Sequence, residues 1–558
     1  MSDTAPRPLI VQSDHSILLE VGSLAYHDAR DAIGRFADLE KSPEHFHTYR
    51  ITPLSVWNAA ATGLDAETMI EDLKRHSKYD VPRNVLADIR DYVARYGRVR
   101  LEREDGVLVL ASDDPALVAE ILHNPLVKKY VIEALPDGRV AVDPAFRGHV
   151  KQAMIKIGYP VEDLAGYVEG GRFEIALADA TPDGRPFALR PYQSESVEVF
   201  HAGGSVRGGS GVIVLPCGAG KTVVGLGAMA ALQTKTLILT TNLIAVRQWH
   251  REIREKTHVA DADVGEYTGE VKNVRPITVT TYQILTYRRS KTDVFVHFDL
   301  FQQNDWGLII YDEVHLLPAP IFRLTAEIQA TRRLGLTATL VREDEKEEDV
   351  FTLIGPKRYD VPWKVLERAG WIATAHCTEV RIGMPGELRM EYAVADQRAR
   401  FRLAAENPAK RPVVKRLLER HADDRVLIIG QYIAQLETLA KVLGIPLITG
   451  RTPNEERAEL YRAFRDGDLK RLMVSKVGNF AIDLPDASVL IQVSGTYGSR
   501  QEEAQRLGRI LRPKSDGGPA HFYSLVSRDS RDQEFAANRQ RFLTEQGYSY
   551  EITDEREV

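Results

Sequence analysis

Residues 211–232 read GVIVLPCGAGKTVVGLGAMAAL. An apolar run leads into Pro216, Cys217, Gly218, Ala219, Gly220, Lys221 and Thr222, and a helical pattern follows. A loop of this kind turns backbone N–H groups inward around phosphates, and the N-terminus of the next helix adds partial positive charge. Lys221 has the reach for β- and γ-phosphates, and Thr222 carries a hydroxyl for Mg²⁺. One position departs from the general pattern: Leu215 stands where a glycine is usual. A second apolar run, residues 307–311, ends in Asp312, Glu313, Val314 and His315. Asp312 suits Mg²⁺ coordination, and Glu313 suits orientation and activation of an attacking water. Acidic residues after a strand often only start a turn; here they accompany Lys221 and Thr222, which favours an ATP site. His315, beside that site, is a coupling candidate.

Other segments complete this chemistry. LRPYQ, residues 189–193, places Arg190 and Gln193 ahead of the loop, where they suit contact with adenine. Residues 499–514, SRQEEAQRLGRILRPK, hold Gln505, Arg506, Arg509 and Arg512. Arg509 and Arg512 are three apart and share a helix face, so their guanidinium forks suit the γ-phosphate as arginine fingers. Asp483 suits a ribose hydroxyl or one of these arginines. Thr337 and Thr339 in GLTATL suit relay of the nucleotide state.

Elements must hold these residues in place. After residue 185, short apolar strands alternate with amphipathic helices, first in GVIVL, TLILTT, ITVTT and GLIIY. The pattern returns in RVLIIG, RLMVS, SVLIQVS and HFYSLVS. Continuous apolar strands separated by helices predict parallel sheets buried on both faces. Two such sets predict two α/β lobes, at 179–368 and 369–558. Ahead of them, residues 1–111 read as helices followed by a hairpin around Asp105-Gly106, a winged-helix-like module or a plain packing domain. Residues 112–178 read as a compact α+β domain. Its Arg147, Lys151 and Lys156 fall at near-helical spacing and face either phosphates or solvent. Segments 240–249 and 280–287 offer hydroxyls and amides either to a phosphate backbone or to helix caps.

The bulk properties agree with a multidomain globular protein. The chain has 558 residues, 44% hydrophobic and 27% charged, too many for one core. No apolar run is long enough for a membrane span, and no secretion signal is visible at the start. Two cysteines exclude a disulfide framework and a four-thiolate iron–sulfur cluster and suit a reducing cytoplasm. A net charge of −6 does not argue against a nucleic-acid partner, because affinity follows local basic groups rather than the sum.

In order, LRPYQ, PCGAGKT, DEVH, TAT and QRLGRILR resemble superfamily-two helicases. DEVH itself and the Arg342-Glu343-Asp344 that follows TAT resemble the XPB DNA-repair helicase family, in its compact bacterial form. The resemblance implies two RecA-like lobes and a DNA-dependent ATPase with 3′→5′ helicase or translocase activity in nucleotide-excision repair. ATP and Mg²⁺ are the implied cofactors and DNA the partner, with a structure-specific endonuclease as a further partner and the chain itself a monomer. It also implies a damage-recognition-like domain at 112–178, and DNA contacts from Arg342, Glu343 and Asp344. A thumb-like insertion near 385–412 would add Arg400 and Lys410, with Tyr392 and Phe401 interleaved for stacking. An ATP-driven switch that melts DNA and recruits a nuclease, with little processive unwinding, uses the same motifs.

Overall fold

The computed structural model describes residues 7–558 apart from 42–44, 105–106, 217, 290–295, 298–299, 301–303, 319–320, 323–324, 326–327, 329–330, 339–346, 362, 476–486, 496–517, 546–547 and 549. The chain divides into two compact units. One comprises residues 1–38, 49–215 and 220–360; the other comprises 39–48, 216–219 and 361–558.

The first unit opens with an antiparallel hairpin, β1 (Leu9–Val11) and β2 (Ser16–Glu20). In chain order there follow α1 (Tyr26–Ile33), then β3 (Asp38–Lys41) and β4 (Phe46–Arg50), whose residues 39–48 belong to the other unit, and then α2 (Pro53–Ala61), α3 (Ala66–His76) and α4 (Arg83–Arg95). Helix α2 starts at a capping box, in which Thr52 and Ser55 exchange side-chain and backbone hydrogen bonds. Helix α3 starts on Asp65, which accepts from Thr68 N.

The α+β domain is a five-stranded sheet in the order β7-β8-β6-β5-β9. Its strands are β5 (Val99–Glu104), β6 (Val107–Ala111), β7 (Val131–Ala134), β8 (Val140–Val142) and β9 (Val161–Asp163). Helices α5 (Pro115–His123), α6 (Pro125–Lys128) and α7 (Arg147–Lys156) belong with it. The hairpin expected as a wing of the first module is therefore misplaced by the sequence reading. Strands β5 and β6 are interior strands of this sheet, and their Leu101, Leu108 and Leu110 join one core with Leu117, Val142 and Met154. The sheet thus runs from Val99 to Asp163, across the boundary expected after Ala111. The far boundary also moves: Phe173 N donates to Gln233 O at 3.1 Å and Ala178 N to Lys256 O at 2.9 Å, so this segment lies along the following lobe.

That lobe contains β10 (Ser210–Val214), β11 (Thr236–Thr240), β12 (Val264–Tyr267), β13 (Ile277–Thr281), β14 (Leu308–Asp312), β15 (Arg332–Thr337) and β16 (Lys357–Asp360). They form one parallel seven-stranded sheet in the order β12-β13-β11-β14-β15-β10-β16. Strands β10, β11 and β13 are buried at every position, as a sheet covered on both faces requires. The helices relevant to the site are α8 (Pro191–His201), α9 (Lys221–Leu232), α10 (Leu243–Lys256) and α11 (Tyr282–Leu285).

A buried charge cluster joins the α+β domain to this lobe. Arg147 forks onto Asp163 at 2.6 and 3.1 Å and donates to Gly166 O at 2.8 Å. Lys151 Nζ is 3.1 Å from Asp163 Oδ2. The Tyr167 ring lies within 6 Å of the guanidinium carbons of Arg147, Arg332 and Arg333, and its hydroxyl donates to Ser210 Oγ at 2.8 Å. Arg147 and Lys151 thus face a carboxylate inside the protein rather than phosphates; Lys156, at the end of α7, is exposed.

The second unit carries the other sheet: β17 (Ala375–Ile382), β18 (Val426–Gly430), β19 (Leu447–Ile448), β20 (Arg471–Ser475), β21 (Val489–Gln492), β22 (Ala520–Ser527) and β23 (Tyr550–Asp554). All pair in parallel, in the order β19-β20-β18-β21-β22-β17-β23. The two parallel sheets are the RecA-like lobes that the motifs implied. Among the described residues no helix is long and apolar enough to cross a membrane.

Candidate active site

Strand β10 ends in the loop that begins at Pro216. Leu215 is wholly buried and its N–H donates to Thr337 O at 3.0 Å. It extends the pairing with β15 into the core, which explains a leucine where the general pattern has glycine. Gly218 and Gly220 both lie in the left-handed region, at φ 82° and 80°, where a side chain would be strained. Lys221 and Thr222 form the first turn of α9. Gln193 is buried at the start of α8: its Oε1 accepts from Arg190 N at 2.9 Å, and its Nε2 would lie 2.5 Å from a Cβ built on Gly220. Arg190 Nη1 donates to Tyr192 OH at 3.1 Å. Of the residues named for adenine contact, Arg190 caps α8 and Gln193 lies in its first turn, against the loop.

The acidic partners arrive on β14, two strands from β10 in the sheet. Asp312 ends the strand, and Glu313 follows in the left-handed region at φ 52°. A non-glycine residue held there stores strain of the kind found at functional sites. Lys221 Nζ lies 3.7 Å from Glu313 Oε1. His315 Nδ1 is 3.5 Å from Glu313 Oε2 and 2.6 Å from Thr337 Oγ1. Lys221, Asp312, Glu313, His315 and Thr337 are thus gathered at the carboxyl ends of neighbouring strands, where ligands bind in open parallel sheets. Burial, and then the neighbouring Glu313, push the Asp312 carboxyl up to about 6, against the pull of Trp249 and Lys221.

The residues fit a nucleotide and its metal. Two glycines hold left-handed turns ahead of a helix N-terminus, a lysine stands at its first position, and two adjacent carboxylates compete for limited positive charge. Glu313 Oε2 is buried and accepts no hydrogen bond among the described residues.

Two residues of this site escaped the sequence reading. Trp249 Nε1 donates to Asp312 Oδ2 at 2.9 Å, and Tyr282 OH donates to Asp312 O at 2.9 Å. Trp249 lies on the buried stripe Val246, Trp249, Ile253 of α10. A buried indole needs an acceptor, a signal visible in sequence, but only the fold names Asp312 as that acceptor. The segments carrying these aromatics do serve as caps: Asn242 Oδ1 accepts from Ile244 N and Ala245 N at 3.0 Å, and Thr281 Oγ1 from Ile284 N at 3.4 Å.

Of the two described residues expected at DNA, Lys410 is enclosed and Arg400 is half-buried between two helices. Lys410 is buried; its Nζ donates to Asp532 Oδ2 at 2.9 Å and to Val493 O at 3.0 Å, and Asp532 is wholly buried. An ammonium so enclosed cannot reach a phosphate. Arg400 donates to Tyr392 O at 3.2 Å and Ala393 O at 2.7 Å, binding together the helices Gly386–Val394 and Gln397–Ala405. Phe401 packs against Phe535 in the core and is not open to a base. Cys217, Thr339, Arg342, Glu343, Asp344, Asp483, Gln505, Arg509 and Arg512 lie outside the described residues.

Three family models match the chain: the ERCC3/RAD25/XPB C-terminal helicase over residues 366–557, the type III restriction enzyme res subunit over 186–342, and a helicase conserved C-terminal domain over 9–136. A Mycobacterium tuberculosis protein named DNA 3′-5′ helicase XPB is 54% identical over 98% of this chain and 98% of its own length. The chain belongs to the XPB helicase family. A Kineococcus radiotolerans XPB of the same name is 53% identical over 98% of this chain and 96% of its own. The Saccharomyces cerevisiae general transcription and DNA repair factor IIH helicase/translocase subunit XPB/SSL2 is 32% identical over 99% of this chain and 72% of that protein. The match over 9–136 assigns the XPB-family chain a third recognised segment, one that hydropathy patterning alone described only as helices and a hairpin.

Proposed function

We infer that this XPB-family chain is a DNA-dependent ATPase and 3′→5′ DNA helicase acting in DNA repair. The observation that carries it is the convergence of Lys221, Asp312, Glu313, His315 and Thr337 at one sheet edge, in a chain so similar to proteins named DNA 3′-5′ helicase XPB. Lys221 and the N-terminus of α9 would bind the phosphates of ATP, and Thr222 with Asp312 would hold Mg²⁺. The nucleotide supplies a phosphoanhydride whose cleavage is strongly favourable. Glu313 orients a water and accepts its proton at Oε2, the buried oxygen that accepts no hydrogen bond among the described residues. His315 passes the state of Glu313 to Thr337 through the 2.6 Å bond. Arg190 and Gln193 are assigned to the adenine and Asp483 to the ribose; Gln505, Arg509 and Arg512 are assigned to the γ-phosphate on the chemistry of their side chains. Arg342, Glu343 and Asp344 are assigned to DNA. The chain works as a monomer in the cytoplasm, with a structure-specific endonuclease as partner.

Strand displacement on 3′-tailed and 5′-tailed duplexes tests this reading. Displacement from 3′ tails alone is expected. A 5′ preference contradicts the polarity, and DNA-stimulated turnover without displacement favours the melting switch.

A further inference from the structure

Trp249 does none of the work assigned so far, yet its contacts converge on the metal-holding residue. Its indole is 1% exposed. Nε1 donates to Asp312 Oδ2 at 2.9 Å. The far edge of the ring presses on α9, where a Cβ on Gly225 would come 2.5 Å from Trp249 Cη2. Glycine at 225 leaves the room this ring occupies. The backbone of Asp312 is held separately, by Tyr282 OH at 2.9 Å. Trp249 stands on α10, which Asn242 caps immediately after β11, and Tyr282 opens α11 immediately after β13. Two neighbouring strand ends thus each send one aromatic donor to the same aspartate.

We propose that Trp249 is a positioning residue for the divalent metal: it fixes one oxygen of Asp312 so that the other is presented for coordination, and it ties that aim to α9 and α10 together. This rests on the assignment of Asp312 as a metal ligand. The final torsion of an aspartate is broad and two-fold, so the carboxylate alone does not hold one aim. A charge-assisted N–H bond in a buried setting supplies the constraint.

Binding of Mn²⁺ with ADP to the full chain, followed by electron paramagnetic resonance, tests the proposal in W249F, G225A and D312N. W249F keeps a ring against Gly225 but has no N–H to donate. G225A keeps the indole N–H but puts a methyl group where the ring edge lies, shifting it from the α9 side, so it decides the matter if W249F does not fold. Partners that orient a metal ligand typically carry at least tenfold in metal affinity, so Mn²⁺ affinity should fall about tenfold in W249F, and fall also in G225A. The Mg²⁺ concentration for half-maximal ATP turnover should rise in step, with excess Mg²⁺ restoring much of the rate. Wild-type Mn²⁺ affinity in both variants, with loss in D312N, overturns the role of Trp249 and leaves the site intact. Wild-type affinity in D312N as well overturns the assignment of Asp312 itself.

Discussion

Two buried charge clusters lie in the first unit and are built on opposite terms. At the nucleotide site Lys221 lies 3.7 Å from Glu313, and the adjacent Asp312 is pushed up to about 6 by burial and by Glu313. At the domain junction one carboxylate, Asp163, is shared by Arg147 and Lys151 at 2.6 and 3.1 Å. Burial alone would raise Asp163, but Lys151, Arg147 and Arg333 outweigh it and hold the carboxyl well below its usual range. The first cluster leaves negative charge for a ligand to satisfy. The second closes its ion pairs between α7 and β9 of the α+β domain, beside the Tyr167 contacts that reach the lobe. Burial and charge are alike in both; the sign of the surplus separates a reactive site from a structural one.

This contrast predicts where a single lost charge stops chemistry and where it stops folding. Glu313→Gln should lower ATP turnover by roughly 10²–10⁴-fold while nucleotide still binds and the melting transition stays in place; turnover near wild type would remove Glu313 from the chemistry. Asp163→Asn should do the reverse. It leaves Arg147 and Lys151 buried without their carboxylate, at a cost of about 3–5 kcal/mol in denaturant unfolding. A loss no larger than that of a surface ion pair would show that the junction is held otherwise. The second unit supplies a matching case. Lys410→Met breaks the buried pair with Asp532 and should also cost about 3–5 kcal/mol, with DNA affinity unchanged in the folded protein; a selective loss of DNA affinity would reinstate Lys410 as a contact.

The smallest effect is one of pH. Burial pushes Lys151 down to about 8 from 10.5, more than Asp163 pulls it up. Between about 8 and 10.5 the unfolded chain carries a proton that the folded chain has released, so stability rises with pH there and is flat below. Wild type should therefore gain stability relative to Lys151→Met as pH is raised from about 8 toward 10, measured by denaturant titration at each pH. A constant difference would mean that Lys151 stays charged in its cluster.

The nucleotide site was legible because its chemistry is local. Strand, glycine turn and lysine are contiguous in 211–222, and the acidic pair follows its own strand, so spacing alone located them. The surroundings of the basic groups were not legible, because charge spacing on a helix, which left Arg147 and Lys151 facing either phosphates or solvent, does not say which face is covered. Arg147, Lys151 and Lys410 all meet carboxylates that lie 16, 12 and 122 residues away in the chain. The hairpin 99–111 is legible as a hairpin, but its partner strands β8 and β9 come later in the chain, so its sheet is not. Trp249 lies in a segment whose hydroxyls and amides suit either a phosphate backbone or a helix cap, while its own N–H turns inward to a residue 63 positions away.

The most direct measurement is ATP turnover by wild type and Lys221→Ala with no polymer, with DNA and with RNA. Turnover that DNA stimulates, RNA does not, and Lys221→Ala abolishes is the predicted result. Equal stimulation by RNA, or turnover that survives the loss of Lys221, would contradict a DNA motor driven from this site.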